Sequence, residues 1–159
     1  MEQYIKPFID VCMDVFKQFI GCEIIAKTPY FSEKNSLEGG DVSAVIGFTG
    51  EARGAVIVSM QKNIAIKLTD ILTGSPHTVM DDDVLDVVGE IVNIIAGNVK
   101  QKLEERMKMI ISLPTIVQGA GHIIKWPGNQ ARILCIPFKI FEDDVFTLLV
   151  AIEIASSAY

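Results

Sequence analysis

The segment from Asp81 to about Lys108 constrains the fold most strongly, because its apolar residues recur with helical spacing along almost its whole length. Valine and isoleucine occupy most sides of the predicted helix, and one narrow face is polar. The aspartates at its beginning, from Asp81 to Asp83, suit the positive end of a helix dipole. Such a helix is predicted to be buried on most sides, with only its polar face open to the outside.

The rest of the chain divides into helical and strand patterns. Amphipathic helices are predicted over residues 2–20, with Gly21 as the stop, and over residues 63–72. Strands are predicted over residues 23–31, 41–48, 55–60, 110–117, 132–141 and 145–153. Residues 32–40 and the glycine-rich connection around His122 are predicted to be loops. This order predicts an α+β fold, an antiparallel sheet packed against helices, with an internal pseudo-repeat of one helix and three strands.

Composition excludes several classes of protein. Half of the 159 residues are hydrophobic, which is too many for an intrinsically disordered chain. The longest stretch without a charged residue, residues 109–124, is too short and too polar for a membrane span, which needs about 20 apolar residues. The formal net charge of −6 disfavours binding to nucleic acid. The first residues show no signal-peptide pattern, so we expect a cytoplasmic protein.

Common catalytic and metal-binding motifs are absent. The sequence contains no GxxxxGK[ST] or GxGxxG phosphate loop and no GxSxG elbow. Cys12, Cys22 and Cys135 form no CxxC pair and are predicted to be buried free thiols. His77 and His122 are most simply loop or surface histidines. The aspartates that begin the long helix could hold a hard cation, but the helix dipole explains them, and we predict no metal site.

Six residues of the long helix fall on one face, within about 40° of Asp86 at about 100° per residue. We call this face the polar strip; it comprises Asp86, Glu90, Asn93, Gly97, Lys100 and Glu104. A solvated face is the ordinary explanation of such a strip. Asparagine is a poor helix former, however, and the mid-helix glycines Gly89 and Gly97 each cost about 1 kcal/mol relative to alanine. A small residue at Gly97 would let another surface approach closely.

Glu90 and Asn93 are the chemically informative pair, because residues three apart on a helix have Cβ atoms about 5–6 Å apart. The Asn93 amide has no titratable proton, but it can hold a water with one donor and one acceptor. Such an amide is one known means of assisting phosphoryl hydrolysis. The Glu90 carboxylate can pair with a cation. The pair has no metal, nucleophile or phosphate cradle of its own, so a partner would have to supply them.

The pattern Asp86-x-x-x-Glu90-x-x-Asn93, followed by Gly97-Asn98, resembles the signature of the CheC/CheX/FliY chemotaxis phosphatases. The segment Ile-Ser-Leu-Pro-Thr-Ile-Val-Gln-Gly at residues 111–119 is similar to the strand that follows the helix in that family. The resemblance extends over nearly the whole chain in the order and length of the elements. The first helix has no ExxN motif, and a single site is typical of the CheX-like branch, which forms homodimers through joined sheets.

The resemblance implies an enzyme, a phosphatase that hydrolyses the aspartyl phosphate of a phosphorylated CheY-like receiver in chemotaxis or two-component signalling. Asn93 would orient the attacking water, and Glu90 would pair with the active-site lysine of the receiver. Asp86, Gly97 and Lys100 would contact the receiver. The receiver would carry Mg²⁺, and this chain would bind no cofactor. The alternative function is a non-enzymatic dimeric adaptor that docks a receiver or a flagellar switch component.

Two structural expectations accompany this implied function. Residues 1–154 would form a single CheX-like domain, and residues 155–159 would form a frayed tail. The β-rich segments must leave free sheet edges, and free edges invite pairing with another chain. Together with the resemblance to the CheX-like branch, which carries most of this expectation, the free edges imply a homodimer formed through sheet edges.

Overall fold

The structure is a computed structural model that describes residues 2–127 and 132–154, so the predicted tail at 155–159 lies outside it. The described helices are α1 (Glu2–Val15), α2 (Lys62–Thr73) and α3 (Asp82–Leu103). The strands are β1 (Ile25–Ala26), β2 (Tyr30–Phe31), β3 (Ser36–Glu38), β4 (Val42–Gly50), β5 (Ala52–Met60), β6 (Met109–Ile111), β7 (Thr115–Gln118), β8 (Ile123–Lys125), β9 (Ile133–Ile140) and β10 (Asp144–Ile154). None of the described helices is both long and apolar enough to cross a membrane.

One antiparallel sheet runs through both halves of the chain in the order β1-β9-β10-β5-β4-β6. At one edge β2 also pairs with β9, and at the other edge β7 also pairs with β4. The two short strands β3 and β8 form a separate ribbon. The three helices cover one face of the sheet, and Leu37, Ile124 and Trp126 of the ribbon segments pack on the other face.

The predicted α+β fold is confirmed, and the topology shows an internal repeat in which each half has five strands instead of the three predicted. Each half consists of a helix, an edge strand split by a proline (Pro29 or Pro114), a ribbon strand and a long hairpin. Proline cannot donate to a β-ladder, which is why each edge strand is interrupted at that point. The edge strand of each half pairs with the hairpin of the other half, so the two repeats are interlocked in one sheet.

Three details differ from the sequence-based predictions. The predicted loop at 32–40 and the connection around His122 contain the paired strands β3 and β8, which at three residues each are too short to show a period. The long helix ends at Leu103 and not near Lys108, and the Leu103 carbonyl accepts from the backbone N–H groups of the following turn. That turn carries Met107 into the core. The first helix ends in a π-helical turn, Phe16–Ile20, and Gly21 is the left-handed stop, as predicted.

All three cysteines are free thiols. Cys12 and Cys135 are buried, as predicted, whereas Cys22 is only half-buried. Burial raises the pKa of the Cys12 thiol, which keeps it protonated.

Helix α3 lies at the centre of the helical layer, between α1 and α2 and against β4 and β5. Its apolar sides are enclosed by the main core; the buried residues include Val84, Val88, Ile91, Val92, Ile95, Ala96 and Val99. The start of the helix is fixed by Asp81, whose side chain accepts a hydrogen bond from the Val84 N–H at 3.0 Å. The predicted beginning of the helix is therefore correct.

His77 connects the end of α2 to the start of α3. Its side chain is only 8% exposed, and Nδ1 lies 3.0 Å from Asp70 Oδ1, with Nε2 3.4 Å from Asp83 Oδ2. The hydrogen bond to Asp70 is the main reason why the pKa of His77 is raised above its usual value. His77, predicted to be a loop histidine, therefore has a structural role, because its ring contacts Asp70 of α2 and Asp83 of α3.

We predict that His77 stabilises the fold in a pH-dependent way. Because folding raises the pKa of His77, the protonated ring stabilises the native state. This stabilisation is complete below the pKa of the unfolded chain, about 6.5, and it is lost as the pH rises through the pKa of the folded protein. The difference in free energy of unfolding between the parent and His77→Gln should therefore shrink between about pH 6 and about pH 8. Urea unfolding followed by circular dichroism at both pH values measures it.

Asp70→Asn provides the control, because a neutral amide gives the protonated ring no charge to pair with. In that background, the effect of His77→Gln on stability should depend on pH much less than in the parent, with the remainder coming from the weaker contact to Asp83 at 3.4 Å. A parent whose difference from His77→Gln does not depend on pH would contradict the role of the Asp70 contact.

Candidate functional site

The polar strip lies on the outward side of α3, as the sequence predicts. Asp86 and Glu90 are exposed, whereas Asn93, Gly97 and Lys100 are half-buried. Glu104, the last member, is exposed and follows the end of the helix. The structure therefore brings all the predicted site residues onto one accessible face of a single rigid element.

The buried side of α3 determines where the polar strip points. Ile91 and Ile95, opposite the strip, are fully buried. Rotation of the helix would expose these side chains, and each costs about 1.5–3 kcal/mol to transfer to water. Val87 and Ile94 border one side of the strip and are half-buried against the core. The strip is thus held in place by packing on its other sides.

The polar side chains of the strip have no partners within the described residues. The side chains of Glu90, Asn93 and Lys100 make no hydrogen bond or ion pair with another described residue. An asparagine in the middle of a helix lowers helix propensity, and here no contact within the described part of the chain compensates for it. The donor and acceptor groups of the strip are therefore available to a second molecule.

The two mid-helix glycines have different structural explanations. A Cβ atom at Gly89 would lie 3.2 Å from Ile116 Cδ1 and 3.8 Å from Pro114 Cγ, so Gly89 makes room for the β7 segment. A Cβ atom at Gly97 would have nothing within 4 Å. The packing of this chain thus explains Gly89, whereas no described neighbour requires a glycine at position 97.

The contact of Pro114 and Ile116 with Gly89 is a feature of the site that sequence reasoning missed. Gly89 directly precedes Glu90, so this contact places the sheet edge beside the polar strip. The signal was present in the sequence, because a mid-helix glycine often marks a close approach of another element. Only the fold identifies the proline segment as that element.

One group among the described residues could hold a metal ion. The potential ligand atoms of His77, Asp81 and Asp83 all lie within 4.8 Å of one another, at the start of α3 and outside the polar strip. The contacts already described for these residues, a helix cap and the join between α2 and α3, account for their proximity. The absence of a metal site in this chain stays a prediction.

His122 lies on the opposite face of the sheet from the polar strip. Its Nε2 is 2.7 Å from the Ser43 hydroxyl, and its Nδ1 is 2.7 Å from the Gly119 carbonyl oxygen. The Ser43 hydroxyl is also within 2.8 Å of the Ser59 hydroxyl and is fully buried. His122 therefore holds the segment before β8 against the sheet, and the structure does not bring it to the strip.

Residues 42–139 match the sequence profile of the family described as "Chemotaxis phosphatase CheX". The chain is similar to "CheY-P phosphatase CheX" of Thermotoga maritima, with 32% identity over 111 residues. That similarity covers 69% of this chain and 70% of the relative. The matched residues include the polar strip and the Pro114 segment.

Two solved structures are similar over almost the whole chain. The crystal structure of a chemotaxis protein CheX from Desulfovibrio desulfuricans has a TM-score of 0.85 and 31% identity, covering 95% of this chain and 99% of that one. A CheX–CheY–BeF₃–Mg²⁺ complex from Borrelia burgdorferi has a TM-score of 0.80 and 25% identity, covering 94% and 97%. The latter protein is seen in complex with CheY.

We predict that the two glycines respond differently to alanine. Gly97→Ala should raise the free energy of unfolding by about 0.5–1 kcal/mol, because alanine favours the helix and no clash opposes it. Gly89→Ala should be less stable than Gly97→Ala, since Ile116 must move to accommodate the new methyl group. Urea unfolding of both variants and the parent provides the measurement. A Gly89→Ala variant as stable as Gly97→Ala would contradict the packing described here.

Proposed function

The chain belongs to the CheX family of chemotaxis phosphatases, and we propose that Glu90 and Asn93 carry that activity on the phosphoaspartate of a CheY-type receiver. As a member of this family the protein is a phosphatase, an enzyme of the hydrolase class. The observation that carries the residue assignment is the outward polar strip, whose Glu90 and Asn93 side chains have no partner among the described residues. Such side chains are ready to enter the site of another protein.

The proposed reaction needs little chemistry from this chain. A water molecule attacks the phosphorus, the bond to the aspartyl oxygen of the receiver breaks, and inorganic phosphate and a free carboxylate result. The Asn93 amide accepts from and donates to the water and its surroundings, which holds the water in line for attack. The receiver is expected to supply Mg²⁺ for its own phosphoryl group, and this chain contributes positioning.

Glu90 has a different proposed role from Asn93. It lies one turn earlier on the strip, about 4.5 Å along the helix axis, and carries a negative charge. Its carboxylate would pair with the active-site lysine of the receiver once water is excluded from the interface. The pair would hold the two proteins in the register that brings Asn93 to the phosphoryl group.

Asp86, Gly97 and Lys100 are proposed to contact the receiver on either side of this pair. Gly97 lies about 6 Å along the axis from Asn93, and its open surroundings let a second backbone approach the helix. Asp86 and Lys100 place opposite charges at the two ends of the contact. Opposite charges at two ends favour one direction of docking over the reverse.

We further propose that the protein is a homodimer in the cytoplasm. The sheet has two free edges, formed by the proline-split strands β1/β2 and β6/β7. Exposed apolar side chains lie on both, with Ile25 63% exposed on β1 and Ile110 72% exposed on β6. Free edges with apolar side chains favour pairing with a second chain. The free thiols and the CheY-type substrate favour the cytoplasm.

Replacement of Asn93 and Glu90 should affect different kinetic constants. Asn93→Ala should lower kcat by about 100-fold or more, about 2.7 kcal/mol, because the amide acts mainly in the transition state. Glu90→Ala should weaken the complex by roughly 2–5 kcal/mol, because the lysine of the receiver loses its partner. Asp86→Ala should have the smallest effect. Phosphate release from phosphorylated CheY of Thermotoga maritima, at several receiver concentrations, measures both constants.

Lys102→Ala is the matched control, since Lys102 is exposed on the same helix but lies outside the polar strip and the family signature. It should retain parental activity, and circular dichroism should show that all four variants are folded. A folded Asn93→Ala variant with parental kcat would disprove the water-orienting role. Receiver binding without faster phosphate release by the parent would instead indicate an adaptor.

The homodimer is tested by light scattering. The parent should have twice the 17.5 kDa mass of one chain at micromolar concentration. Ile25→Lys and Ile110→Lys each place a charge at one sheet edge, and the variant at the edge used by the dimer should become a monomer. A monomeric parent, or dimers for both variants, would contradict pairing through sheet edges.

A further inference from the structure

Leu113 is the most exposed large apolar side chain among those described, at 84% of its full accessibility. It lies in the short break between β6 and β7, directly before Pro114. Pro114 in turn lies near Gly89, the residue before Glu90, since a Cβ atom at Gly89 would be 3.8 Å from Pro114 Cγ. Leu113 is therefore next to a residue that lies close to the helix beside the polar strip.

The backbone around Leu113 is held by hydrogen bonds on its N-terminal side. The Ser112 N–H donates to the Gly47 carbonyl oxygen at 2.8 Å, and the Gly47 N–H donates to the Ser112 hydroxyl oxygen at 3.0 Å. The Ser112 hydroxyl donates to the Leu113 carbonyl oxygen at 2.9 Å. Ser112 is thus anchored to β4, and the ring of Pro114 restricts the backbone on the other side of Leu113, so the side chain is presented from a constrained backbone.

The polar strip is too small to bind a protein by itself. From Asp86 to Glu104 it is about 27 Å long, and a helix face is about 10 Å wide. This area is roughly a third of the 800 Å² that each partner buries in a specific interface. A receiver that engages Glu90 and Asn93 must therefore also cover surface beside the strip, and the segment Ser112–Pro114 borders the side that Gly89 occupies.

We propose that Leu113 is an apolar contact for the receiver and forms, with Pro114, one wall of the docking surface. The inference rests on the proposed function, because the receiver is the partner that is proposed to dock on the polar strip. On the other side of the strip, Val87 and Ile94 form a second apolar border. Apolar borders on both sides exclude water from the strip, which strengthens the pairing of Glu90 with a lysine.

Continuity with the strip favours the receiver over a second copy of this chain as the occupant. Pro114 packs toward α3, whereas the neighbouring exposed residue of the same edge, Ile110, lines a groove on the opposite face of the sheet with Thr49 and Trp126. A contact between copies through the sheet edge would bury Ile110, and a contact at the strip would bury Leu113. The two side chains thus separate the two partners experimentally.

The test is Leu113→Ser, assayed by phosphate release from phosphorylated CheY of Thermotoga maritima. KM should rise by about tenfold or more, the effect of losing one buried leucine contact, while kcat stays within about twofold of the parent. Leu113→Met, which keeps apolar volume, should restore most of the parental KM. Ile123→Ser is the matched control, because Ile123 is 66% exposed but lies on β8, in the ribbon on the far face.

The outcomes distinguish this inference from the proposed function. An active parent with an unchanged KM in Leu113→Ser, or an equal rise in Ile123→Ser, overturns the contact of Leu113 with the receiver. A Leu113→Ser protein that becomes monomeric in light scattering with parental KM also overturns it and assigns Leu113 to contact between copies. A parent that releases no phosphate overturns the proposed function itself.

Discussion

Burial of the apolar sides of α3 is the constraint on which the rest of this structure depends. Ile91 and Ile95 are fully enclosed, and α1, α2 and the sheet each cover part of the helix. Because those sides cannot be exposed at low cost, the remaining face has only one possible direction. Glu90 and Asn93 are therefore presented on a rigid helix, which suits a reaction that depends on positioning.

The contact between Gly89 and the Pro114 segment connects this helix to the edge of the sheet. Glycine at position 89 leaves room for the Ile116 side chain, which a Cβ atom there would meet at 3.2 Å, and the nearby Pro114 interrupts the edge strand. The site and a free sheet edge thus share one structural feature. The proposed receiver surface is therefore a neighbour of one of the two edges through which the homodimer is proposed to form, although the exposed apolar side chains of the two surfaces differ.

The internal repeat gives the two halves a common scaffold, but only one half carries the site. Both halves contain a helix, a proline-split edge strand, a ribbon strand and a hairpin, yet only α3 carries ExxN. Helix α1 contains no asparagine, and its exposed Lys6 pairs with Asp10 at 2.6 Å. The scaffold of the two halves is common, whereas the polar residues that a receiver would meet are present in one half.

The sequence by itself determined the helices, the two long hairpins and the composition of the polar strip, because helical and strand periods depend on residues close together in the chain. Only the tertiary structure decided the pairing of β3 with β8, the end of α3 at Leu103, the join at His77 and the approach of Ile116 and Pro114 to Gly89. Pairing of β3 with β8 joins segments far apart in sequence, and no local pattern encodes such a contact. The end of α3 is set by Met107 entering the core, and the neighbours of the polar strip follow from how the two interlocked halves close the sheet.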